Sequence, residues 1–183
     1  KLSVARGDLS ELVQEIGLRY KELNRNPKVN FHVHINTEET LLFYDADMLT
    51  TILNNLLSNA AKYTSEGNIT LSLNSIEENS VRYTEIRVSD TGHGISPEAL
   101  PHIFERYYQA NSKYQASGSG IGLALARSLA ELHGGKLTMD DAADCNHFIL
   151  TLPLHQAQTV HLLPTEPEKA EREEVIVSSE PGN

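Results

Sequence analysis

The stretch that most constrains this chain is a short apolar run ending in an acid. Ile86, Val88 and Asp90 recur at every second position. That is the period of a strand, so the carboxylate emerges on the same side as the two aliphatic side chains. A carboxylate turned toward a core is costly unless donors reach it. Thr91-Gly92-His93-Gly94-Ile95 follows directly, and its two glycines free the backbone to turn sharply at that point.

Three readings of Asp90–Ile95 are open. One is an Asx turn that merely leaves the strand. A second is the Asp-Thr-Gly of an aspartic protease, which needs a paired second carboxylate loop that nothing else in the sequence supports. The third is a carboxylate that accepts from the exocyclic amine of a purine, with the glycines letting the ring come close.

Residues 45–64 form the next constraint. Leu49, Ile52, Leu53, Leu56, Leu57 and Ala60 make the apolar stripe of an amphipathic helix. At about 100° per residue, Asn55, Asn59 and Lys62 fall within roughly 60° of one another on its flank. Two amides and an ammonium on one helix edge are a solvated flank on the plain reading. Beside an anion they are more: an amide oxygen can complete a Mg²⁺ shell, and the lysine brings positive charge to a polyphosphate.

Gly118-Ser119-Gly120-Ile121-Gly122-Leu123 opens a second helix, expected over 120–133, with a core stripe of Ile121, Leu125, Leu129 and Leu132 and a stop at Gly134-Gly135. A glycine-rich loop entering a helix presents bare amides and the positive end of the dipole, which suits an anion. It lacks the GxxxxGK[ST] of a P-loop and does not follow a strand as a Rossmann loop must. No protein-kinase signature accompanies it. The polar stretch 109–117 ahead of it, with few apolar anchors, has the character of a lid.

The remaining elements follow from periodicity. Asp8 with Glu11 reads as the capping box of a helix whose stripe is Leu9, Leu12, Val13, Ile16, Tyr20 and Leu23. Val29, Phe31, Val33 and Ile35 alternate with polar residues as a half-buried strand. That places His32 and His34 on the polar face, where no third ligand stands near, so they read as surface. Strands are expected at 68–76 and 81–90, joined by the turn Glu77–Ser80, and at 136–140 and 147–152. The order predicts an α+β fold: a two-layer α/β sandwich, with a mixed sheet covered on one face by helices. Residues 1–154 form this domain. Residues 155–183 carry six acids against two bases and three prolines, the composition of an acidic flexible tail or linker.

Composition narrows the function classes. The formal charge of −10 argues against general nucleic-acid binding. The single Cys145 fits a reducing cytosol. No apolar run is long enough for a spanning helix, so a cytoplasmic location is expected, with no membrane contact by this part whether or not a longer protein is anchored in the inner membrane.

Read together, Asn55–Thr64, Asp90–Ile95, Ile103-Phe104-Glu105-Arg106-Tyr107 and Gly118–Leu123 resemble, in order and spacing, the asparagine, first glycine, phenylalanine and second glycine boxes of the catalytic ATP-binding domain of sensor histidine kinases. These belong to a superfamily shared with gyrase, with a Bergerat-type sandwich that holds the nucleotide between its layers. The resemblance implies ATP and Mg²⁺ as ligands. It makes Asn59 a Mg²⁺ ligand, with Asn55 helping at metal and phosphates and Lys62 contacting phosphate. It places Tyr63 near the adenine and Asp90 on the adenine amine, with Gly92 and Gly94 shaping that pocket and Ile95 walling it. Gly118, Gly120, Gly122 and Leu123 would offer amides to the phosphates, and Phe104 and Arg106 would belong to the lid region.

The resemblance also implies transfer of the γ-phosphoryl group to a histidine on a separate dimerisation domain. The hydrolysing relatives carry a glutamate base where this chain has Asn55, and an amide cannot take a proton from water. None of the eight histidines sits in a phosphoacceptor context, so that domain and a response-regulator receiver are the expected partners, with the isolated domain monomeric. The tail could lead into a further domain such as a receiver. Where the family's third glycine box carries a base-contacting hydroxyl, this sequence has His147. A gyrase-like ATPase and a non-catalytic nucleotide sensor are the rival readings.

Overall fold

The computed structural model describes residues 1–106, 122–142 and 145–154. Gly118, Gly120, Ile121, Tyr107, the 109–117 stretch and the acidic tail lie outside the described residues. Strand β1 (Ala5–Asp8) runs straight into helix α1 (Leu9–Leu23), where Asp8 accepts from the Ser10 N–H as N-cap. Leu9, Val13 and Ile16 are buried, as the stripe requires, but Leu23 is 61% exposed. The stripe ends early because Asn24 leaves the helix in an extended conformation and its side chain bonds the Asn26 and Val29 carbonyls.

Strand β2 (Val29–Ile35) keeps the alternation read from sequence, with His32 and His34 on its outer side. Strand β3 (Leu41–Tyr44) pairs with β1 in a small antiparallel sheet. Neither strand was expected: each is four residues long, and β1 has no apolar alternation, so only their mutual hydrogen bonding defines them. Helix α2 (Ala46–Tyr63) follows, capped by Asp45 and buried along Leu49, Ile52, Leu53, Leu56, Leu57 and Ala60. Burying six such side chains contributes roughly 1 to 3 kcal/mol apiece and makes α2 the spine of the helical layer.

Strands β4 (Gly67–Glu78) and β5 (Val81–Asp90) form a hairpin longer than expected. Its turn is the pair Asn79-Ser80, at φ 51° and 65°, the left-handed geometry that matches strand twist in two-residue hairpins. A 3₁₀ turn (Leu100–His102), helix α3 (Gly122–Leu132), β6 (Lys136–Ala142) and β7 (Cys145–Leu152) complete the chain. The five-stranded sheet runs β2-β4-β5-β7-β6. Its β2–β4 pair is parallel and the rest antiparallel, a mixed sheet against whose one face the three helices pack. This is the α+β two-layer arrangement read from the sequence.

One stripe is corrected. Leu125 and Leu132 are 41% and 52% exposed, while Ala124, Ala126 and Ala130 are buried. Side chains this small let α3 settle close on α2, which turns the leucines outward. The stop is as expected: Gly134 (φ 85°) donates to the Glu131 carbonyl and Gly135 to that of Ala130, the paired bonds of a Schellman cap. No helix among the described residues is long and apolar enough to cross a membrane.

Candidate functional site

Helix α2 meets both ends of the site. Its Asn55 and Asn59 are half-buried and Lys62 is exposed. Asn55 Nδ2 donates to the Thr51 carbonyl at 3.0 Å, which leaves Oδ1 facing outward from the helix. There it meets the start of α3, since a Cβ on Gly122 would stand 3.2 Å from Asn55 Oδ1. Leu123 packs against the core beside it. At the other end of α2, Tyr63 stacks edge-on with His93 at 5.3 Å, and Lys62 Nζ lies 6.0 Å from the Tyr63 ring centroid. From Asn55 to Tyr63 the helix rises about 12 Å, so one element spans from the α3 start to the Asp90 turn.

Ile86, Val88 and Asp90 are all buried on one face of β5, as the alternation requires. Asp90 Oδ1 accepts from the Gly92 N–H at 3.0 Å and from Asn146 Nδ2 at 3.1 Å. No donor among the described residues bonds Oδ2. Burial pushes the carboxyl pKa up, opposed by the Asn146 and Gly92 bonds, the Thr64 hydroxyl and the nearby His93. A Cβ on Gly92 would come within 2.3 Å of the Tyr63 carbonyl, so the close passage of this turn past the end of α2 demands glycine. At Gly94 a Cβ would meet nothing within 4 Å. Ile95 is partly buried against the core.

Asn146 is a site residue that the sequence reading missed. Nearly buried, it bridges Asp90 Oδ1 and the His93 carbonyl. Its register opposite Asp90 on β7 was the available signal, but it needed the strand pairing to be known. His147, at the position where the family's third glycine box has a base-contacting hydroxyl, does not share the face of Asp90 and Asn146: alternation turns it to the opposite face, where its Nδ1 bonds Ser89 Oγ at 2.6 Å.

Phe104 and Arg106 are not brought to this turn. The Phe104 ring stands edge-on to Phe148 and under the Arg127 guanidinium, beside a separate hollow of about 410 Å³ lined by Pro101, Leu137 and Met139. Arg106 is exposed.

The residues fit a nucleotide. Thr64 Oγ1 is buried beside Asp90 without a well-formed hydrogen bond among the described residues. Together with the unbonded Oδ2, it offers polar atoms to a purine edge. Among the described residues no three His, Cys, Asp or Glu side chains gather as a metal site, and His32 bonds Asn68 on the outer face. Any cation here would therefore take neutral protein oxygens, and Asn59, whose side chain makes no hydrogen bond among the described residues, presents one.

Comparison with known proteins agrees with this fold. Residues 44–156 match the family of histidine kinase-, DNA gyrase B-, and HSP90-like ATPases. An aerobic respiration control sensor protein ArcB homolog of Haemophilus influenzae is 43% identical over 136 residues, covering 62% of this chain and 41% of the relative. The sensor histidine kinase RppB of Synechocystis is 31% identical over 157 residues, covering 84% of this chain and 34% of the relative. The chain thus spans less than half the length of either. Among solved structures, full-length ShkA in complex with AMPPNP aligns with a TM-score of 0.75 at 25% identity, covering 86% of this chain and 32% of that one. The mycobacterial sensor histidine kinase MprB aligns with a TM-score of 0.68 at 25% identity, covering 84% of this chain and 99% of that one. From the motif order, the mixed sheet and these matches, the chain belongs to the histidine kinase-, DNA gyrase B-, and HSP90-like ATPase family, within which it resembles the ATP-binding domains of sensor histidine kinases.

Proposed function

We propose that this domain binds Mg²⁺–ATP and donates the γ-phosphoryl group to a histidine on a separate phosphoacceptor domain, for onward transfer to a response-regulator receiver. The observation that carries this reading is the Asp90 carboxylate, fixed through Oδ1 by Gly92 and Asn146 and leaving Oδ2 for a donor. It lies beside the helix that carries Asn55, Asn59 and Lys62. Bound Mg²⁺–ATP supplies an electrophilic phosphorus with its charge partly neutralised.

The chain's own residues do the positioning. Asp90 accepts from the adenine amine, a donor that guanine lacks at that position, and Tyr63 flanks the ring. Asn59 and the outward Asn55 oxygen hold the cation, and Lys62 adds positive charge near the phosphates. Gly122 and Leu123, together with Gly118 and Gly120, offer backbone N–H groups. Gly92 and Gly94 shape the pocket for the adenine and Ile95 walls it. Asn55 provides no general base, which disfavours water as the acceptor.

The test is titration of the purified chain with ATP and GTP, with and without Mg²⁺, followed by labelled ATP in the presence of a phosphoacceptor domain. Mg²⁺-dependent preference for ATP and acid-labile label on the acceptor are expected. Steady phosphate release abolished at Asn55 would instead mean a gyrase-type ATPase. Binding without any transfer would mean a nucleotide sensor.

A further inference from the structure

Residue 45 is where three distant parts of the chain are tied together. Asp45 is 5% exposed. Its Oδ1 accepts from the Met48 N–H at 3.0 Å, capping α2. Its Oδ2 accepts from the Ser3 N–H at 2.7 Å, anchoring the segment ahead of β1. Its own N–H donates to His133 Nε2 at 3.0 Å, reaching the residue that closes α3. His133 is itself buried, and accepting through Nε2 fixes its neutral ring with the proton on Nδ1. The Met48 and Ser3 amides, before any other influence, hold the Asp45 carboxyl below its ordinary range.

Each of the two helices joined at residue 45 carries part of the candidate site. Helix α2 bears Asn55 and Asn59, and α3 begins at Gly122 against Asn55 Oδ1. The Schellman cap after His133 fixes the far end of α3, and the interior of a packed helix transmits displacement rather than absorbing it. The position of residues 1–4, the α2 cap and the register of α3 on α2 therefore share one buried junction.

We propose that Asp45 and His133 are positioning residues that set the register of α3 on α2, and so couple the segment ahead of β1 to the ATP site. The inference deepens the ATP-binding reading above and rests on it for its nucleotide arm. By reciprocity, ligand binding between α2 and α3 stiffens the anchoring of Ser3 as much as loss of that anchor weakens binding.

The variants are His133→Gln, whose Oε1 can accept where Nε2 does, His133→Asn and His133→Leu, which cannot, and Asp45→Asn, which keeps an oxygen for the α2 cap but sets an NH₂ against Ser3. Each is read by amide hydrogen exchange and by ATP titration of the whole chain. Loss of the buried acceptor speeds exchange at the Asp45 amide about tenfold in His133→Leu and His133→Asn. It also shifts the Ser3, Gly122 and Asn55 amides and weakens ATP binding several-fold, while His133→Gln restores all of these. Combining Asp45→Asn with His133→Leu costs less ATP affinity than the sum of the two.

Unchanged Ser3 and Gly122 amides in His133→Leu and His133→Asn, failure of Gln to restore them, or strict additivity overturns the coupling. If His133→Leu does not fold, the Gln and Asn variants decide the matter. A wild-type chain that binds no ATP refutes the nucleotide reading by itself, and the exchange measurements then still decide whether the junction couples Ser3 to Gly122.

Discussion

Asp90→Asn is expected to move stability and affinity in opposite directions. In the folded chain the carboxylate is buried, and that burial raises its pKa. A folded-state pKa above the unfolded value means that the site favours folding at low pH and loses this contribution as pH rises through the folded pKa. At neutral pH the ionised group carries a desolvation cost which asparagine does not.

The variant side chain can place its carbonyl where Oδ1 sits and keep the bonds from Gly92 and Asn146. The apo variant should therefore melt higher than the parent at pH 7, and the difference should shrink as pH falls toward the ordinary aspartate range. ATP binding should weaken. An NH₂ in place of Oδ2 meets the adenine amine donor to donor, and a hydrogen bond to a charged group is worth about 1.5–3 kcal/mol. That corresponds to roughly ten- to 150-fold in Kd, together with relaxed preference for adenine over guanine.

Thermal melts from pH 4 to 8 and calorimetric titration with ATP and GTP provide both readouts. Unchanged ATP affinity in a folded variant would refute the placement of the purine edge. A lower melting temperature at pH 7 would refute the burial argument.

Three further outcomes follow from the geometry. Asn59→Ala should lose roughly tenfold in ATP affinity with Mg²⁺ present and little without it, and equal losses in both titrations would move the cation elsewhere. Gly92→Ala should destabilise the domain by about 1–3 kcal/mol, since its methyl would meet the Tyr63 carbonyl at 2.3 Å. Gly94→Ala, entering open space, should leave the denaturant midpoint unchanged, and a midpoint loss equal to that of Gly92→Ala would contradict this picture of the turn. Ser80→Gly should stabilise by about 0.5–1 kcal/mol, because Ser80 sits at φ 65°, and a lower midpoint in urea would show that its side chain compensates for the strain.

What the sequence determined by itself is whatever local period and local chemistry decide. The inward acid at Asp90, the amide edge of α2, the alternation of β2 and the Gly134-Gly135 stop all depend on residues within a turn or two of one another, and all stand in the structure. Contacts between distant residues were legible only in part. The β1–β3 pair has no periodic signal, because backbone pairing alone holds it. The outward turn of Leu125 and Leu132 follows from how closely an alanine-lined helix can approach its neighbour, a property of the pair of helices and not of either pattern. Asn146 reaches Asp90 across 56 positions, and His133 reaches Asp45 across 88. A hydrogen bond needs its partners within about 3 Å, and only the folded chain sets which residues come that near.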